Sequence, residues 1–216
     1  MTYVFETKLE TWDDGLDISR KVQIPSAASL SDLGCLILAA YGAQGYHLFD
    51  FAIAKTIYGC DEECSDVSVF DISVQQAFGR AKNAVFSYDY GDGWTFSVKL
   101  VQKNAGDEAP KLLSGTGRGI IEDVGGVGGL EDFIYVFKKR EGERYEELCD
   151  WLGIKQYNAK VCKVEKINKM LNEYASTMVA AYEGRLDEGT DILQFKKWFE
   201  ECFGSRFWLD EDEDED

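Results

Sequence analysis

The chain has 216 residues, 45% of them hydrophobic and 13% aromatic, with two prolines and a formal net charge of −17 at pH 7. That is enough for one large domain, or one domain with a helical appendage, built on a real apolar core. The acidity disfavours direct binding to nucleic-acid phosphate. No run of about 18 apolar residues offers a membrane span, and the start, Met1-Thr2-Tyr3-Val4-Phe5-Glu6, lacks the basic-then-apolar pattern of a secretory signal. A cytoplasmic location is therefore expected.

Thr2 to Glu10 alternates apolar and polar residues and predicts a strand. After the turn Asp13-Asp14-Gly15, Ile18 to Ile24 predicts a second strand ended by Pro25, with Arg20 interrupting the apolar stripe. Arg20-Lys21, Lys138-Lys139-Arg140 and Lys196-Lys197 are the local basic clusters, and solvated surface is the expected place for them. Ser29 and Asp32 form a capping-box pattern for a helix with Leu30, Leu33, Ile37 and Ala40 on its buried stripe and Gly42 as its C-terminal cap. Tyr46 to Ala54 predicts a third strand, with His47, Phe49, Phe51 and Ile53 on one face. His47 is the only histidine, and a hydrogen-bonded core position is its expected role. The acidic stretch Gly59 to Asp66 lacks the ligand spacing of a calcium loop and reads as solvated. Of the six cysteines, Cys35, Cys149 and Cys202 lie in apolar or amphipathic runs and read as buried. Cys60 and Cys64 have no second pair or nearby histidine to complete a zinc site.

A short helix around Ile72 to Phe78, closed by Gly79, leads into the segment Phe86-Ser87-Tyr88-Asp89-Tyr90-Gly91-Asp92-Gly93-Trp94-Thr95-Phe96. Its alternation, Phe86, Tyr88 and Tyr90 before the turn and Trp94 and Phe96 after it, predicts a β-hairpin. A three-residue loop Gly91-Asp92-Gly93, with Gly93 left-handed, would set Tyr90 against Trp94 and Tyr88 against Phe96. Asp92 then reads as a turn former and Asp89 as an exposed strand acid; the sharper alternative makes both part of a site. Lys103 to Gly119 reads as a loop. The glycine-rich run from Gly115 to Gly129 lacks the lysine of a P-loop and carries Glu122 and Asp123, so a special-backbone loop is expected rather than a nucleotide cradle. Beyond Gly129 apolar residues recur at helical spacing: Leu130 to Phe137, Tyr145 to Leu152, one longer helix through Val164, Ile167, Leu171, Tyr174 and Met178, and a last one through Ile192 to Cys202. The fold class is α+β, a β-rich half of antiparallel hairpins with inserted helices followed by a helical part. The seven acids from Asp210 to Asp216 read as a disordered tail.

Four of these stretches, in order, carry a resemblance. Ser19-Arg20-Lys21-Val22-Gln23-Ile24-Pro25 is similar to W-R-R/K-I/V-x-V/I-P, and His47-Leu48-Phe49-Asp50-Phe51 to H-L-H-x-F. The hairpin is similar to Y-x-Y-D-F/Y-G-D-x-W-x-H, and Ile120-Ile121-Glu122-Asp123-Val124-Gly125-Gly126-Val127-Gly128-Gly129 to P-P-E-D-x-G-G-x-x-G. The chain thus resembles the plasmid pRiA ORF-three-like family, also described as a transposon-passenger, TnpR-like domain. The resemblance implies a domain over residues 1–168, with a helical extension at 169–209 and the acidic tail at 210–216. Where the pattern has histidine this chain has Gly34, Phe49 and Phe96; where it has tryptophan, Ser19; where it has paired prolines, Ile120 and Ile121. A phenyl ring neither coordinates metals nor titrates, so any imidazole chemistry at Phe49 and Phe96 is lost.

The function expected on these grounds is a non-catalytic binding module associated with mobile elements, directed at a protein partner and requiring no cofactor or metal. Its candidate binding residues are His47, Tyr88, Asp89, Asp92, Trp94, Glu122 and Asp123, with no catalytic set among them. The alternative is a metal-dependent hydrolase or nuclease-like enzyme using Asp89, Asp92, Glu122 and Asp123, which requires the hairpin tip and the glycine-rich loop to converge within about 8 Å. A weaker option is a regulator whose acidic surface mimics DNA.

Overall fold

The computed structural model describes residues 1–61, 63–186, 190 and 192–204. The acidic tail and Glu62 lie outside the described residues. The chain is α+β. Eight strands form one mixed sheet: β1 Thr2–Leu9, β2 Ser19–Pro25, β3 Phe49–Ile53, β4 Thr56–Gly59, β5 Val67–Ser68, β6 Asn83–Tyr88, β7 Trp94–Asn104 and β8 Lys111–Thr116. Their order is β5-β4-β3-β6-β7-β1-β2-β8. Among the described residues only the β4–β5 pairing is parallel. Helices α1 Leu30–Tyr41 and α2 Val74–Phe78 are inserted between strands. Then come α3 Gly126–Lys139, α4 Glu143–Leu152, α5 Val164–Asn168, α6 Leu171–Tyr182 and α7 Ile192–Phe203.

Helix α1 is the central element. It is buried at every position but Asp32, as expected for a helix apolar on all sides, and packs against both β2 and α6. The capping box is present: Asp32 N–H donates to Ser29 Oγ at 3.0 Å, and the Asp32 carboxylate accepts from Ser29 N–H at 2.8 Å. Gly42 ends the helix at φ 79°, and a Cβ there would lie 2.7 Å from the Phe203 ring. Glycine is therefore required both by the left-handed backbone and by the space.

Arg20 departs from the expectation of solvated surface. The period of β2 puts it on the same face as Val22 and Ile24, and it is 1% exposed, while its neighbour Lys21 pairs with Glu6 at 3.2 Å in solvent. The guanidinium meets carbonyl oxygens rather than a carboxylate. Nε donates to Ala40 O at 2.7 Å, Nη1 to Ser19 O at 2.8 Å and Thr116 O at 2.6 Å, and Nη2 to Arg118 O at 2.8 Å. Its plane also lies 4.7 Å from the Tyr41 ring centroid. The Ala40 carbonyl belongs to the last turn of α1, where unpaired carbonyls concentrate negative potential.

Two expectations change. Lys111–Thr116, read as loop, is strand β8 at the sheet edge; only Leu112 is buried on it, so it shows no clear alternation. The single helix expected through Val164 and Met178 is two, α5 and α6. The Asn168 side chain turns aside to mimic a strand, accepting from Leu112 N–H at 2.9 Å and donating to Leu112 O at 2.7 Å.

Arg20→Met would leave several buried carbonyls without a donor. It is expected to lower the unfolding free energy by about 3 kcal/mol or more, whereas Lys21→Met changes it by less than about 1 kcal/mol. Urea denaturation of both variants at neutral pH checks this.

Candidate functional site

The central hairpin forms in a different register from the one expected. Tyr88 pairs with Trp94, Ser87 with Thr95 and Phe86 with Phe96, so the loop spans the five residues between Tyr88 and Trp94. The slip is two residues, which preserves the aromatic face but removes Asp89 and Tyr90 from the strand. Asp89 is the cause. It takes a left-handed backbone at φ 53°, and its Oδ1 accepts from Gly91 N–H at 3.0 Å and Asp92 N–H at 3.3 Å. Its carbonyl accepts from Gly93 N–H at 2.6 Å, and Gly93 is left-handed at φ 70°, as expected. Asp89 is therefore not an exposed strand acid; it is 6% exposed. Tyr90 is solvent-facing and donates to Asp50 Oδ2 at 2.9 Å.

The glycine-rich loop docks on this hairpin. Its backbone runs past the end of α1, where Ile120 N–H donates to Tyr41 O at 3.0 Å. A Cβ on Gly119 would lie 2.1 Å from Tyr41 O, and one on Gly126 2.1 Å from Asp92 O. Both approaches exclude any side chain. Asp123 (φ 55°), Gly125 (φ 92°) and Gly126 (φ 66°) turn the chain into α3. This path buries Glu122 to 1% exposure. Glu122 Oε1 accepts from Gln44 N–H and Tyr88 OH, both at 2.8 Å.

The segment between α1 and β3 forms the third wall. Tyr174 of α6 donates to Ala43 O at 3.2 Å, Tyr182 of α6 donates to His47 O, and Asp89 N–H donates to Leu48 O at 3.0 Å. His47 lies just before β3 rather than within it. Its Nε2 is 3.4 Å from Asp89 Oδ2, but the two are not aligned as a hydrogen bond, and Nε2 is buried without a partner among the described residues. Glu122 Oε2 is likewise buried without a partner.

One ligand atom each from His47, Asp89 and Glu122 lies within 4.8 Å of the other two. Atoms bound to a single ion at 2.0–2.6 Å sit at most about 4–5 Å apart, so the spacing fits one cation. The two expected carboxylates at positions 92 and 123 are not in this group. Asp123 Oδ2 accepts from Tyr46 OH at 3.0 Å, and Asp92 contributes its carbonyl to the contact with Gly126. Tyr88 orients Glu122, and Trp94 is fully buried. His47, whose expected role is a hydrogen-bonded core position and which also stands among the candidate binding residues, is the member that completes the set. The signal lay in strand pairing: Phe49 pairs with Tyr88, which brings the residues before β3 alongside those after β6.

Burial raises the Glu122 carboxyl from its ordinary 4.5 to about 7, against the opposing pull of its two hydrogen-bond donors, with Asp89 and Asp123 adding to the rise. Burial and the neighbouring carboxylates also push the Tyr88 and Tyr46 hydroxyls upward, so both remain protonated donors. Phe49 and Phe96 lie in the aromatic core. Each packs on Phe86, at 5.6 and 5.8 Å between centroids, and Phe96 meets Tyr41 edge-on at 4.7 Å. The Phe49 ring occupies the space that a Cβ on Gly34 would need, at 2.7 Å. The replacements at 34 and 49 are thus complementary in volume, and His47 is separate from them.

Residues 2–166 match the profile of the plasmid pRiA4b ORF-3-like proteins. The chain belongs to that family. It is 32% identical over 166 residues to the uncharacterized protein y4hQ of Sinorhizobium fredii (strain NBRC 101917 / NGR234), a match covering 74% of this chain and 86% of that protein. It is also similar to the crystal structure of MM3350, a protein of unknown function from Methanosarcina mazei Go1, with a TM-score of 0.67 and 26% identity over 76% of this chain and 96% of that one. His47, Asp89 and Glu122 all fall inside the family match, whereas α6 follows it.

Gly126→Ala is expected to separate the two loops and lower stability by about 1–3 kcal/mol through its positive φ and the clash with Asp92 O, read by thermal melting. Because the Glu122 carboxyl is raised in the fold, the folded chain holds a proton that the unfolded chain releases. Stability is then full below about 4.5 and falls as pH rises through about 7, by up to ~3 kcal/mol. Urea denaturation in chelator should show this slope in the native chain and its loss in Glu122→Gln.

Proposed function

We propose that the protein is a divalent-metal-dependent hydrolase, with His47, Asp89 and Glu122 as the protein ligands. The observation that carries this reading is the convergence of the three side chains within 4.8 Å, two of which carry a buried atom without a partner among the described residues, His47 Nε2 and Glu122 Oε2. Buried polar atoms are rarely left without a partner, and a cation would satisfy both. One nitrogen and two carboxylate ligands suit Zn²⁺ or Mn²⁺ better than Ca²⁺. An ion held by these three protein ligands would have room for water and substrate and would lower the pKa of its bound water. Tyr88 and the Gln44 N–H hold Glu122 Oε1, which leaves Oε2 for the cation.

The reading as a non-catalytic interaction module is favoured by a different observation. Tyr46, Leu48 and Tyr90 are exposed beside His47 and Asp89, and such a rim suits contact with an apolar or planar partner. An association with mobile elements rests on the family resemblance.

Purified protein, prepared without chelator, is expected to carry one Zn²⁺ or Mn²⁺ per chain by elemental analysis. His47→Ala and Asp89→Asn should each weaken titrated metal binding more than about tenfold, or about 1.4 kcal/mol, while Asp92→Asn and Asp123→Asn stay within about threefold. Absence of binding at millimolar metal would overturn the site. Tight binding with no hydrolysis of chromogenic ester or phosphodiester substrates would favour the interaction module.

A further inference from the structure

A second feature is independent of the His47 group, none of whose residues lines it. A cavity of about 610 Å³ opens between the β1–β2 turn, α3 and the segment at 156–160, a volume typical of small-molecule sites. Four cationic residues line it: Arg118, Lys138, Arg140 and Lys160. None of them forms an ion pair among the described residues. Three carboxylates also line it, and each is already engaged by the wall. Glu131 Oε1 accepts from Trp12 N–H and Asp13 N–H, both at 2.8 Å, and Asp13 Oδ1 accepts from Gly15 N–H at 2.8 Å. Asp17 accepts from Thr116 Oγ1 at 2.9 Å and lies 3.7 Å from Lys8. Of these charged residues only Asp17 has an ion-pair partner among the described residues, and the cations outnumber the carboxylates four to three.

Arg118 is the most constrained of the four. Its guanidinium stacks on the Tyr157 ring at 5.0 Å, and its Nε is buried with no acceptor. Its backbone N–H donates to Ala159 O at 2.9 Å, and its carbonyl takes the Arg20 Nη2 bond, so its position is fixed from both sides. Ile134, Tyr135 and Tyr157 supply apolar and aromatic lining. In a chain of net charge −17, a lining with four cations against three carboxylates beside aromatic walls is a local excess of positive charge.

We propose that this cavity binds a small organic phosphate. The phosphate sits among Arg118, Lys138 and Lys160, whose forked and point-charge donors suit its oxygens. The planar or apolar remainder lies against Tyr135 and Tyr157.

Calorimetric titration of the full chain at low ionic strength tests this, with AMP as the probe and inorganic phosphate and adenosine as its two halves. AMP is expected to bind with Kd near or below about 1 mM, adenosine at least tenfold more weakly, and added salt should weaken AMP binding. Lys138 and Lys160 are both exposed, so the double variant Lys138→Gln, Lys160→Gln should fold normally and lose AMP affinity about tenfold. His47→Ala should retain it, which separates this site from the metal reading. No binding of AMP or phosphate up to about 10 mM, or unchanged affinity in the double variant, would overturn the proposal.

Discussion

Arg20 gathers carbonyl groups from three places: its own strand, the last turn of α1, and the first residues of the glycine-rich loop. A buried guanidinium without a carboxylate is tolerable only when its donors are met, and here the acceptors are backbone atoms of segments that would otherwise be free to separate. The arrangement fixes where the loop leaves β8 and forces it along the end of α1. From there the Gly119 and Gly126 approaches leave little choice of path, and Glu122 is carried beneath the chain that links α1 to β3. The candidate site is thus a consequence of a charge placed on the apolar face of a strand some distance away in sequence.

The site concentrates unfavourable terms. Asp89 and Asp123 hold left-handed backbones that their side chains partly offset, Glu122 is desolvated, and a histidine nitrogen is buried without a hydrogen bond. Strain and unmet polar atoms in one place are what functional sites accumulate and what folding alone would remove. The surrounding aromatic core, with Phe49, Phe86, Phe96 and Tyr41 in successive contact, supplies the stability against which that strain is held.

Much of the scaffold was legible in the residues. The capping box at Ser29, the glycine caps at Gly42 and Gly79, the alternation of β1 and β7, and the amphipathic stripes of α3 and α4 each rest on local physics, and each formed where local physics put it. What escaped was decided by distant partners. Arg20 interrupts an apolar stripe, and only the carbonyls around it show why it is buried. The hairpin register followed the polarity pattern but not the turn, because Asp89 joins Gly93 in the left-handed region and its carboxylate holds a five-residue loop in place of a three-residue one. Asp89, Glu122 and the loops bearing them were singled out. His47 stood among the binding candidates but outside the metal set, because a residue just outside a strand has no face until the neighbouring strand is known.

Two tyrosines of α6 have a wider meaning. Tyr174 and Tyr182 hold the carbonyls of Ala43 and His47, on the short segment that also supplies the Gln44 N–H to Glu122. Helix α6 lies beyond the residues matched to the family. The shared portion of the chain therefore contributes the three side chains, and a later helix acts as the splint that sets their separation. Cutting the chain where the family match ends would keep every member of the cluster and release the strap that spaces them.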